Sequence, residues 1–189
     1  MLTRSEALEV VYRFYPRGVP CYERRYVPEN ERVYDDTEEH RRLVEASNRG
    51  RAEYPTWNAM IDRLGDRYSL QNESLSLLAG WVEPAYSARI YRPKDLEPVP
   101  SLSSRASLSF HVSLLGSYYG IHDRGEPDEK PAAITAEIEA TYPGYRPIPP
   151  ELGNEVVPDV AMEWALMGEA TIYMCLFSRV WTWVVPSSA

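Results

Sequence analysis

Cysteine is scarce: Cys21 and Cys175 are the only two among 189 residues. They lie in unlike contexts and make no disulfide framework, and Cys175, inside an apolar run, reads as a small core residue. Histidine is limited to His40, His111 and His122, too few for most catalytic plans. No HExxH or HxxxH pair, G-x-S-x-G elbow, Walker loop or G-x-G-x-x-G turn occurs, so the commonest hydrolase, NTPase and dinucleotide signatures are missing. No stretch approaches the ~20 apolar residues of a membrane span. Glu6 and Glu9 interrupt the apolar stretch nearest the N-terminus, which argues against a signal peptide. A reducing cytoplasm is the expected setting. Lysine is nearly missing too: 18 of the 20 cations are arginine, a compositional bias rather than a function.

What remains is enough for one domain spanning 1–189, helical over 1–69 and rich in strand over 70–189. A chain of this size buries roughly 70% of its unfolded surface and needs no metal to hold together. Thr3 and Glu6 match a capping box, and Leu8, Val11 and Tyr15 then predict a helix over Thr3 to Tyr15. Asp36 and Glu39 repeat the signal and open a helix from Thr37 to Asn48, with His40 facing solvent. Tyr54-Pro55 starts another, whose stripe of Trp57, Met60, Ile61, Leu64 and Tyr68 is the clearest helical period in the chain.

The centre of the sheet is predicted at Ser107–Asp123. Leu108, Phe110, Val112 and Leu114 alternate with Ser109, His111 and Ser113, the period of a strand. Gly116-Ser117 suits a two-residue hairpin turn, which would set Leu114 opposite Tyr119, Val112 opposite Ile121 and His111 opposite His122. One long bent strand is the alternative. Further strands are expected over Leu75 to Val82, Tyr86 to Tyr91, Val156 to Val160 (a short edge strand) and Ala170 to Ser178. Arg92 to Ser104 reads as a loop, Pro131 to Tyr142 as a helix, Pro147 to Pro150 as polyproline-like, and Ala161 to Met167 as a helical turn. Trp181 and Trp183 point one way if extended, either packing inward or anchoring a partner. The expected fold is α+β: an antiparallel sheet covered on one side by the N-terminal helices and one inserted helix.

Charge is uneven along the chain. Between Asp123 and Glu169 lie eleven carboxylates and three cations, which accounts for the whole net charge of −8; the remainder holds seventeen of each sign. Such a segment repels nucleic acid and attracts a basic protein. A solvated face kept soluble by its charge is the plain alternative. The carboxylates Asp123, Glu126, Asp128, Glu129, Glu137, Glu139, Glu155 and Asp159 are the candidate partner contacts, with Tyr118, Tyr142 and Tyr145 as aromatic anchors. A competing reading takes His111, His122 and Asp123 as the start of a metal or hydrolytic site. Two imidazoles and a carboxylate identify no metal, so no cofactor is expected.

Gly168-Glu169-Ala170-Thr171-Ile172-Tyr173, continuing through Cys175-Leu176-Phe177-Ser178 to Trp181, resembles the C-terminal motif of bacterial immunity family fifty-two of polymorphic toxin systems. Leu152-Gly153-Asn154, Val156-Val157-Pro158-Asp159-Val160 and Ser113-Leu114-Leu115-Gly116 fit the same picture, so the resemblance covers about the second half of the chain. Arg179-Val180 departs from it, standing where acidic residues are expected. The resemblance implies a small, acidic, cytosolic, non-enzymatic protein whose partner is a toxin with a restriction-endonuclease-like nuclease domain.

Overall fold

A computed structural model describes residues 2–21, 33–91, 108–123, 128–163 and 165–177. The readings made on Arg92 to Ser104, Glu126, Ser178, Trp181 and Trp183 lie outside them.

Helix α1 (Arg4–Phe14) starts at the predicted box: Thr3 accepts from the Glu6 N–H at 3.3 Å, and the Glu6 carboxylate accepts from the Thr3 N–H at 2.8 Å. Its inward line is Ala7, Val11 and Phe14, with Leu8 at the margin. The expected pair of helices beyond it is one helix, α2 (Glu38–Gly65), capped by the Thr37 hydroxyl rather than by Asp36. Gly50 and Pro55 both lie within it. Gly50 is there for contact: a Cβ on it would stand 2.5 Å from the Leu114 side chain. Pro55 removes one helical hydrogen bond, but on the solvent side, where an open carbonyl costs least. Trp57, Met60, Ile61 and Leu64 bury as their spacing predicts and offset that loss.

Five strands follow: β1 (Leu70–Asn72), β2 (Ala85–Ile90), β3 (Leu108–Ser113), β4 (Tyr118–Asp123) and β5 (Arg146–Pro147). They lie in the order β1-β2-β3-β4-β5, antiparallel except for the short parallel contact of β5 with β4. Strand β3 is the centre, and all six of its residues are buried. The hairpin exists with a different register. Val112 faces Tyr119 and His111 faces Gly120, so four residues, 114–117, make the connection. Leu114 is drawn out of the ladder because its N–H donates to the Pro84 carbonyl at 2.8 Å and its side chain lies on Gly50. A slip of two keeps every side chain on its face while exchanging its partners.

Two strand predictions fail for the same reason. Leu75 to Val82 begins with a short helix, α3 (Leu75–Leu78), and Ala170 to Ser178 contains α6 (Ile172–Phe177), whose six residues are all buried. A short apolar run does not distinguish a strand from a buried helix. Thr171 decides the second case, because its hydroxyl accepts from the Met174 N–H at 3.2 Å and starts the turn. The described residues of 156–160 and 161–167 form neither strand nor helix, only isolated bridges such as Val156 with Thr171 and Met162 with Ala165. Helix α4 (Lys130–Thr141) is where it was expected, and α5 (Pro150–Gly153) follows β5.

The class is α+β with a largely antiparallel sheet, as predicted. On one face α2 and α4 bring Trp57, Met60, Leu64, Ile134 and Ile138 against Tyr86, Phe110, Val112 and Tyr119. Trp57 stacks on Tyr86 with ring centroids 5.0 Å apart. The other face is covered as well, by α6, with α1 packed behind it. Tyr173 of α6 lies directly on Gly120 of β4, where a Cβ would come within 2.7 Å of its ring. Replacing Gly120 with alanine should therefore cost about 1–3 kcal/mol in chemical denaturation through overpacking. Unchanged stability would mean that Tyr173 does not sit over that backbone.

Candidate interaction surface

The histidines are placed by the sheet. In β3, His111 projects to the α6 side, where its Nδ1 lies 2.8 Å from the Ser87 hydroxyl and its ring meets Tyr173 edge-on at 5.8 Å. Only 2% of it is exposed. Burial above all, and then the nearby Arg89 and His122, push its pKa down to about 3, so the imidazole is neutral. His122 stands opposite Ser109, and Asp123 is exposed at the end of β4. The three residues of the competing reading thus share a region, but His111 is sealed from solvent. No three histidine, cysteine or carboxylate groups converge on a metal position among the described residues. His40 is buried, not solvent-facing: its ring packs 5.5 Å from Tyr34 and its Nδ1 is 3.2 Å from the Asp35 carbonyl oxygen. Burial raises the pKa of the Cys175 thiol, which makes it inert.

The acidic segment is dispersed by the fold. Glu137 meets Arg63 at 2.6 Å and Glu139 accepts from the Tyr119 hydroxyl at 2.8 Å, both on the α2–α4 side. Glu155 pairs with Arg4 at 2.5 Å and Asp159 with Arg17 at 2.6 Å, both beside α1. Partial burial raises the Asp159 pKa, but hydrogen bonds from Arg17 and Tyr12 outweigh it and hold the group below the usual carboxylate range. Asp128 pairs with Lys130 at 2.8 Å, while Glu129 is exposed. Three of the segment's carboxylates are therefore paired with cations from the first third of the chain. The aromatic candidates turn inward: Tyr118 is buried, and Tyr142 and Tyr145 are half-buried with ring centroids 5.3 Å apart.

Apolar exposure marks two places that periodicity misses. The first is α3 and the turn after it, where Leu75, Leu78 and Trp81 are 60%, 47% and 55% exposed while Leu77 between them is fully buried. The second is the turn at 165–169. There the Leu166 N–H donates to the Glu169 carboxylate at 2.9 Å, the Glu169 N–H returns a bond to the Leu166 carbonyl, and Gly168 takes φ +87°. This closed turn presents Leu166, 62% exposed, and Met167 between Glu163 and Glu169. The signal available in the sequence was the pair Met167-Gly168, a turn residue directly after two apolar ones.

No helix among the described residues is long and apolar enough to cross a membrane. The buried imidazole has a thermodynamic consequence. His111 takes up a proton near pH 6.5 when unfolded and near 3 when folded, so its contribution is complete above 6.5 and is lost as pH falls toward 3. Across that window stability should drop by about 1.4 kcal/mol more per pH unit in the native protein than in His111→Gln. Equal pH slopes in the two proteins, or an NMR titration of His111 near 6.5, would contradict its burial. Comparison with protein-family models, curated proteins and solved structures gives no match to this chain.

Proposed function

We propose that the protein is an immunity protein that binds a cognate toxin, a basic nuclease domain, and neutralises it without chemistry of its own. The observation that carries this reading is the Leu166–Met167 turn, an exposed apolar tip closed by its own hydrogen bonds, with Glu163 and Glu169 on either side of it in sequence. Apolar anchors at the centre of a contact, ringed by polar groups, supply most of the binding energy in protein interfaces. A nuclease is cationic where it grips phosphate. A body with net charge −8 is drawn to such a surface and repelled by the nucleic acid that competes for it. The turn also directly precedes the Gly168–Trp181 stretch that resembles immunity family fifty-two. In the enzymatic alternative His111 is closed off by Ser87, Tyr173 and Phe177. A cytoplasmic site of action belongs to the same proposal.

The test is co-expression with the product of the adjacent gene, where a cognate toxin is expected. Growth should be protected by the native protein and lost with the double substitution Leu166→Asp and Met167→Asp. Both side chains are exposed, so stability should stay within about 0.5 kcal/mol of native. Affinity should fall by at least about 30-fold, the hot-spot range. Association should also slow by about 10- to 1,000-fold from low to high salt. Full protection by the double variant would remove this turn from the interface.

A further inference from the structure

The stretch from Met162 to Glu169 holds two closed turns in succession. Met162 and Ala165 exchange backbone hydrogen bonds at 2.9 and 3.0 Å, and both residues are buried. In the turn from Leu166 to Glu169, Met167 takes the second place and Gly168 the third, at a φ of +87° that a side chain would strain. The Met167 side chain is 41% exposed there, beside the still more exposed Leu166. The other methionines among the described residues are sealed, since Met60, Met162 and Met174 are at most 5% exposed. Cys175 is fully buried as well. One thioether is thus held in solvent at the tip, and the others lie in the core.

The geometry points to Met167 as a reversible oxidation site, where a peroxide switches the proposed toxin contact off and a thiol-dependent reductase restores it. Oxidation transfers one oxygen atom from the peroxide to a lone pair of the sulfur. The O–O bond breaks, the sulfur gives up two electrons, and the remaining oxygen leaves as water. In the reverse direction two thiols supply two electrons and two protons, the sulfoxide oxygen leaves as water, and a disulfide forms. Oxidation turns a flexible apolar side chain into a polar, chiral one. In a desolvated contact the sulfoxide oxygen is left without a donor, a cost added to the lost apolar burial. The fold is insulated from this change, because the bonds that close the turn run through the backbone and the Glu169 carboxylate. The inference rests on the Leu166–Met167 turn being the toxin-facing tip, and adds a chemical control of that same contact.

The test treats the full chain with dilute hydrogen peroxide and locates the oxidation by fragment-ion mass spectrometry. After the peroxide is removed, affinity is measured for the purified product of the adjacent gene. Met167 should gain one oxygen atom, while Met60, Met162 and Met174 gain none until the protein is unfolded. Affinity should fall by about tenfold or more, the equivalent of one lost buried methionine. The midpoint of chemical denaturation should not move, and methionine sulfoxide reductase with dithiothreitol should restore the affinity. In Met167→Leu, whatever its starting affinity, peroxide should change nothing, which separates Met167 from Cys21. The proposal is overturned if the core methionines oxidise as fast as Met167, or if Met167→Leu is equally sensitive. A loss of affinity that comes with a lowered denaturation midpoint also overturns it, the cause then being the fold. Binding that survives oxidation of Met167 unchanged removes this site and leaves the immunity reading in place. No binding by the untreated protein, with no protection of growth, overturns the immunity reading and this inference with it.

Discussion

Burial of β3 on both faces is the constraint from which the rest of the structure follows. Leu108, Phe110 and Val112 supply one apolar face, which α2 and α4 cover. Ser109, His111 and Ser113 supply a polar one, which must be satisfied if it is to be buried at all. The fold does so with bonds to its neighbours: Ser113 donates to the Leu176 carbonyl at 2.9 Å, and His111 reaches Ser87. Helix α6 therefore meets the sheet through hydrogen bonds as well as through apolar contact. Tyr173 and Phe177 close the layer above His111.

Legibility in the sequence follows the range of the signal. The Thr3–Glu6 box, the stripe from Trp57 to Leu64, the alternation in β3 and the α4 helix are local patterns, and each was readable. What was not readable depends on distant partners. The presence of Gly50 within α2 is explained only when Leu114 and Tyr86 are laid against it. The hairpin register was decided by the Leu114 bond to Pro84, thirty residues away, rather than by Gly116. A short apolar run at 172–177 fits strand and helix alike, and only the side-chain bond of Thr171 separates them.

The candidate site was legible in its chemistry more than in its place. A chain-local count of carboxylates located the surplus between Asp123 and Glu169 correctly, but folding brings Arg4, Arg17 and Arg63 to three of its members, Glu155, Asp159 and Glu137. Counterions chosen in space are invisible to a count made along the chain. The apolar turn at Leu166 and Met167 was missed because exposure, not periodicity, defines it. Ion pairs at the surface contribute little each, so under the proposed function the binding energy is better sought at such apolar tips, with charge governing encounter.

Hydrogen exchange on the protein alone and mixed with the proposed toxin partner tests the central claim most directly. The account predicts that amides from Leu166 to Glu169 exchange more slowly in the complex than in the free protein. Exchange there that is the same with and without the toxin would contradict it.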